Sequence, residues 1–122
     1  MSGARVVEIF AQDADDSSPL VIWLHGRGES PERFVSLWTA FPGKIEVALP
    51  QAPLPAGDGW SRYDWPDGMS DDALAGMVAS AEEKLWPVIV EIAHGRRVIV
   101  GGFSQGAVLS YVLAARHPDA VA

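Results

Sequence analysis

Gly102-Phe103-Ser104-Gln105-Gly106 sets a serine between two glycines. Acyl transfer from a serine needs its oxygen held clear of the sheet, beside backbone donors that face the developing oxyanion. A sharp turn from a strand into a helix achieves this, and it crowds the neighbouring backbone, so the flanking positions must be small. Gly102 and Gly106 meet that requirement. The residue after the serine opens the helix, so the N–H of Gln105 can face the negative charge. Chance alone predicts roughly 0.1 such pentapeptide in a chain of this glycine and serine content. The flanks therefore carry the distinction. Val98-Ile99-Val100 reads as a buried strand directly before the motif, and an apolar helix begins directly after it. Ser104 is the candidate nucleophile; the rival reading is a glycine-rich turn with an incidental serine.

His25-Gly26-Arg27-Gly28 is the second group with chemical content. It follows the apolar run Leu-Val-Ile-Trp-Leu, and its glycines would let a backbone N–H approach the same carbonyl oxygen. The N–H of Arg27 is the candidate donor. A phosphate-cradling loop is the competing reading. It lacks the Lys-Ser/Thr of a P-loop and the spacing of a dinucleotide fingerprint.

The elements that must position these residues can be read from the pattern. Residues 5–10 form a short first strand, residues 12–19 a polar, acidic turn, and residues 20–25 a strand apolar enough to be buried on both faces. Ser30-Pro31 is a helix start, with Phe34, Leu37, Trp38 and Phe41 at helical spacing and Pro42-Gly43 as the stop. Residues 45–49 make the next strand. Residues 50–69 read as one long loop rich in Pro, Gly and aromatics. Ser70-Asp71-Asp72 caps a second helix whose three-four apolar spacing runs to Ile92, with a kink or break expected near Glu83 because of Pro87. Residues 97–103 are the last strand, and residues 105–116 a helix apolar nearly all round, which should be covered on most sides. Alternating strands and helices with buried strands imply a parallel sheet.

Leu24-His25-Gly26-Arg27-Gly28, Pro50-Gln51-Ala52-Pro53, Trp60-Ser61-Arg62-Tyr63-Asp64 and Gly101-Gly102-Phe103-Ser104-Gln105-Gly106 together resemble, in order, the phospholipase/carboxylesterase group of α/β-hydrolases. That group contains acyl-protein thioesterases and small bacterial carboxylesterases. The resemblance implies an α/β, three-layer sandwich with a mostly parallel sheet, and hydrolysis of a small ester or thioester through an acyl-enzyme on Ser104. It implies an oxyanion hole made by the N–H groups of Arg27 and Gln105, with His25, Gly26, Gly28, Gly102 and Gly106 as motif support. It implies no cofactor. Trp60 and its neighbours would line the acyl or alcohol pocket. Tyr63 and Trp65 extend that aromatic wall; equally, these rings pack the loop onto the sheet. Ala107 departs from the family, which more often has a further glycine there. Arg27 and Arg62 could attract an anionic substrate group, although surface arginines usually do not.

The triad of such enzymes runs Ser, then Asp or Glu, then His. Only 18 residues follow Ser104, and Asp119 comes too soon to be the acid. His25 is expected to order its loop, His94 to lie on the side where strands begin, and His117 to finish a helix. A serine without a base is a poor nucleophile. Residues 1–122 are therefore expected to form a single domain, the N-terminal portion of an α/β-hydrolase, with C-terminal strands and helices missing. Ala120-Val121-Ala122 reads as the first part of the next strand. The strand bearing Ser104 would then be an open apolar edge, completed by a complementary polypeptide or a second copy. The alternative is a catalytically inactive fragment that serves as a binding or assembly module. A flavodoxin-like cofactor binder would need a phosphate loop after the first strand, where Gln12-Asp13-Ala14-Asp15-Asp16 is acidic and glycine-free.

Composition adds exclusions. A net charge of −7 disfavours nucleic-acid binding. The absence of cysteine removes disulfides and thiolate metal sites, and three scattered histidines show no metal-ligand spacing. The start lacks a signal-peptide pattern and no apolar run could span a bilayer, so a cytoplasmic location is expected.

Overall fold

The computed structural model describes residues 5–10, 15, 17–64 and 66–122. The strands are β1 (Val6–Phe10), β2 (Leu20–Leu24), β3 (Glu46–Pro50), β4 (Leu54–Ala56), β5 (Gly59–Ser61) and β6 (Val98–Gly102). The helices are α1 (Val35–Thr39), preceded by a 3-10 turn at Pro31–Phe34, α2 (Asp71–Ala93) and α3 (Gln105–Arg116). Four strands form the main sheet in the order β1-β3-β2-β6. β2 pairs in parallel with β3 and β6, whereas β1 pairs antiparallel with β3. The sheet is thus mostly parallel, and the fold is α/β.

The continuous apolar run of β2 is explained by its two covered faces. Leu20, Ile22 and Leu24 pack with Val78, Leu85 and Ile89 of α2 and Leu109 and Leu113 of α3. Val21 faces the opposite way, with Trp23, Phe34, Val35 and Trp38 around it. Trp23 and Trp38 meet edge to face at 5.3 Å between ring centroids. One sheet between two helical layers results, the three-layer arrangement.

Several expectations need correction. Residues 12–14 and 16, most of the acidic turn, lie outside the described residues; at its end Asp15 accepts from the N–H of Ser17 at 2.9 Å. Ser30 does not cap: its side chain makes no capping hydrogen bond, and the segment is a 3-10 turn followed by a five-residue helix. No residue of α1 is buried, and Leu37 and Phe41 are exposed, so little packing supports a longer helix. Ser70 does cap α2, accepting from the N–H of Ala73 at 3.1 Å. Pro87 does not break α2, which runs through it to Ala93. Pro87 and Glu83 both lie on the exposed side, so the carbonyl freed by the missing N–H faces water. Burial of Val78, Ala81, Leu85 and Ile89 meanwhile holds the helix on both sides of the proline.

Residues 50–69 are not one loop. β4 and β5 form a two-stranded antiparallel ribbon joined at Gly57-Asp58, with Gly57 at φ 57°. At the far side of the main sheet, β6 is an edge strand, and it is not the buried strand expected: Val98 is buried, but Ile99 is exposed because no further strand or helix covers it among the described residues. Val121 bridges Val98 in parallel, through Val98 N–H to Ala120 O at 2.9 Å and Ala122 N–H to Val98 O at 2.7 Å. α3 is covered on one side only: Leu109 and Leu113 are fully buried, while Val108 and Tyr111 are exposed, Tyr111 by 80%. No helix among the described residues is long and apolar enough to cross a membrane.

Candidate active site

Ser104 sits where β6 turns into α3, exposed, with φ 54° and ψ −111°. A non-glycine residue at positive φ carries strain on the order of 1–3 kcal/mol, which persists only where the surroundings impose it. Here they do. A Cβ on Gly102 would lie 2.5 Å from the carbonyl carbon of Gly106 and 2.7 Å from the carbonyl oxygen of Leu24, and a Cβ on Gly106 would collide with the same Leu24 peptide. The end of β2 and the turn around Ser104 are thus packed backbone on backbone, and Phe103 N–H donates to Leu24 O at 3.0 Å.

The segment after β2 continues from that contact. Gly26 approaches Phe103, whose carbonyl oxygen lies 3.2 Å from where a Gly26 Cβ would sit. Gly26 N–H donates to Glu29 Oε1 at 2.7 Å, and Gly28 N–H donates to Trp60 O at 2.9 Å. Trp60 N–H returns to Glu29 O at 2.9 Å, which docks the β4–β5 ribbon on this loop. Gly28 adopts φ 80°, the left-handed region that favours glycine. Between two engaged donors, the N–H of Arg27 has no acceptor among the described residues, and neither has the N–H of Gln105 at the first position of α3. The Arg27 side chain is exposed, 3.6 Å from Asp64.

His25 is 1% exposed. Its Nε2 accepts the Ala52 N–H at 3.0 Å, which leaves the proton on Nδ1, donated to Gly26 O at 2.8 Å. The ring ties the segment after β3 to the loop after β2, and neither nitrogen is available to a serine. Burial lowers its pKa, only partly opposed by the Gly26 carbonyl. A histidine depressed in the folded state and near 6.5 when unfolded takes up its proton preferentially on unfolding. Its contribution is therefore intact above about pH 6.5 and is lost as pH falls from there through the lowered folded value. Chemical denaturation across pH 5–7 should show this fall, and His25→Gln should flatten it.

The other histidines lie elsewhere. His94 ends α2 at φ 49°. It lines a hollow with Leu20, Glu46 and Arg96, at the amino ends of the strands and opposite Ser104. His117 stacks on Trp86 at 3.6 Å between centroids and bonds through Nε2 to Glu82 Oε1 at 2.5 Å. Buried Glu82 also accepts from Arg116 at 2.8 Å, so this trio fastens the end of α3 to α2. Asp119 lies with Arg97 and Val98 where β6 begins, also remote from Ser104. Among the described residues no group of three or more acidic or histidine side chains could hold a metal ion.

The aromatic wall is dispersed. Trp60 is half-buried on β5, Tyr63 is buried in the main core cluster, and Trp65 lies outside the described residues. Arg62, expected at the surface, is buried; its Nη2 donates to Pro50 O at 3.0 Å, and its Nε has no partner among the described residues. Burial lowers its pKa to about 10.

Two polar side chains were missed by the sequence reading. Glu29 holds the Gly26 N–H, and Gln105 binds the segment Ser61–Tyr63 through its amide. A carboxylate three residues after Gly26 could have been read as a loop-closing acceptor. Nothing in the sequence pointed to the Gln105 side chain.

No family model and no curated protein matches the chain. Solved structures do. The chain is similar to acyl-protein thioesterase 2 of Zea mays, with a TM-score of 0.68 and 19% identity over 96% of this chain and 55% of that one. It is similar to the Bacillus cereus carboxylesterase at 0.68 and 20%, covering 98% and 58%. With a phospholipase/carboxylesterase from Dyadobacter fermentans the values are 0.67 and 25%, over 93% of this chain and 54% of that one. The chain spans a little over half the length of these structures. What they share with it is the α/β-hydrolase fold.

Proposed function

We propose that this chain, with its α/β-hydrolase fold of the phospholipase/carboxylesterase kind, is the nucleophile-bearing front portion of a serine esterase or thioesterase. The observation that carries the reading is Ser104, exposed and strained, flanked by two loops in which the N–H groups of Arg27 and Gln105 are among those without an acceptor in the described residues. Ser104 Oγ attacks the ester or thioester carbonyl, and its proton passes to a histidine base. The carbonyl oxygen takes the negative charge against the two N–H groups, the alcohol or thiol leaves with a proton, and water releases the acyl group.

The base and its acid partner come from polypeptide outside these 122 residues, because none of the three histidines lies beside Ser104. That polypeptide, a further segment or a second copy, adds its strand along the outer edge of β6. An open hollow lined by Trp23, Gly101, Gly102, Tyr111 and Ala122 borders that edge, and Ile99, Val108 and Tyr111 expose apolar surface around it. A cytoplasmic setting fits the acidic, cysteine-free composition.

A fusion tests the reading: this chain followed by the part of the Dyadobacter fermentans structure that it does not cover. The fused protein is expected to hydrolyse p-nitrophenyl butyrate and take up one fluorophosphonate on Ser104. The 122-residue chain alone should do neither above its Ser104→Ala variant. A fused protein that folds as a compact species yet leaves Ser104 unlabelled overturns the hydrolase reading and favours the inactive binding or assembly module. The occupied nitrogens of His25 and the remoteness of His94 and His117 are the observations on that side.

A further inference from the structure

We propose that the Gln105 side chain is a positioning group that locks the Ser61–Tyr63 segment to the turn bearing Ser104, so that the oxyanion donor and the loop after β5 form as one unit. The proposal rests on the reading of Gln105 N–H as that donor. The side-chain amide is buried and fully used. Its Oε1 accepts the Arg62 N–H at 2.8 Å, and its Nε2 donates to Tyr63 O at 2.7 Å and to Ser61 Oγ at 3.1 Å. Ser61 Oγ donates in turn to Tyr63 O at 2.6 Å. Ser61 is fully buried, and Arg62 and Tyr63 nearly so, so water cannot substitute for these partners. Arg62 extends the lock, because its guanidinium holds Pro50 O at the end of β3.

One residue therefore has two separable parts. The backbone N–H points to the reaction, and any residue except proline supplies it. The amide alone ties that backbone to the loop after β5. Since Trp60 also pairs with Glu29, the loop is held at the turn after β6 and at the loop after β2, the two places that carry the N–H groups of Gln105 and Arg27.

Gln105→Met keeps the length and the backbone N–H and removes every amide hydrogen bond. Exchange of the Arg62 amide, followed by NMR, is expected to accelerate about tenfold or more, while the β2–β3 and β2–β6 ladders keep their protection. In the completed enzyme, fluorophosphonate labelling of Ser104 should slow at a temperature where both proteins are folded. A purely structural contact would leave that rate unchanged. Unchanged Arg62 exchange in Gln105→Met overturns the proposal, as does accelerated exchange with an unaltered labelling rate. Should Gln105→Met fail to fold, Ser61→Ala removes only one arm of the lock, and the same amide should show a smaller acceleration; no change there overturns the proposal too. If wild-type Ser104 never labels, the hydrolase reading fails, while the exchange result still decides whether the lock exists.

Discussion

Ser104→Ala is expected to lower turnover of the completed enzyme by roughly 10⁴-fold or more and to abolish fluorophosphonate labelling. On the proposed reading the variant loses the atom that forms the acyl bond, yet keeps the backbone N–H groups of residues 27 and 105. A residual rate above the uncatalysed reaction should therefore remain, and KM should move little, because the proposed oxyanion donors are untouched. Stability should stay within about 0.5 kcal/mol of the wild type, since the hydroxyl is exposed and caps nothing. Ser104→Gly adds a sharper test. At φ 54° glycine carries no Cβ strain, so this variant should be more stable than both, although equally inactive. A serine that is costly to fold and indispensable to turnover is the signature of strain retained for function. A Ser104→Gly protein no more stable than wild type would show that the turn is not strained by its side chain.

The layout of the sheet was legible where burial alone dictates residue type. β2 was visible because a strand covered on two faces tolerates apolar residues at successive positions, β6 because its short apolar run leads straight into the glycine-flanked serine, and the glycines around Ser104 because backbone contact excludes a side chain. The β4–β5 ribbon was not visible. Its strands, Leu-Pro-Ala and Gly-Trp-Ser, show no alternation, and the ribbon holds because Trp60 pairs with Glu29 far away in sequence. Gly57-Asp58 between short runs was nevertheless a hairpin signal. Pro87 misled for a related reason: the break it suggests depends on whether the freed carbonyl meets water or the core, which the local sequence does not say. At the site, the positions of Ser104 and of the two glycine-rich turns could be read. The partners of Gln105, Arg62 and Glu29 could not, because a polar side chain's partner is set by tertiary approach, not by period. Arg62 shows this best, an arginine between Ser and Tyr that reads as exposed and is buried against Pro50.

Gly106→Ala should be among the most damaging single-methyl changes at the described residues, destabilising by about 3 kcal/mol or more. The added carbon would sit 2.6 Å from the carbonyl carbon and 2.8 Å from the Cβ of Leu24, with the carbonyl oxygen closer still. Neither side can yield cheaply. Leu24 belongs to the central strand, is fully buried, and pairs with Gly102 in the β2–β6 ladder, while its carbonyl already accepts the Phe103 N–H. Gly106 is fixed from the other direction by its own N–H bond to Phe103 O at 2.9 Å and by the packing of Leu109 and Leu113 farther along α3. Relief would require α3 to lift from β2, which exposes those leucines and shifts Gln105 and Ser104 together. Denaturant midpoints should therefore fall steeply, and any folded remainder should label more slowly at Ser104. Gly76→Ala is the matched control, because a Cβ there meets nothing within 4 Å and the residue is exposed within α2. That exchange should stabilise the protein by about 0.5–1 kcal/mol, the usual gain of alanine over glycine within a helix. Opposite signs for the same chemical change would attribute the Gly106 effect to backbone contact with β2 and not to helix propensity; equal signs would refute that contact.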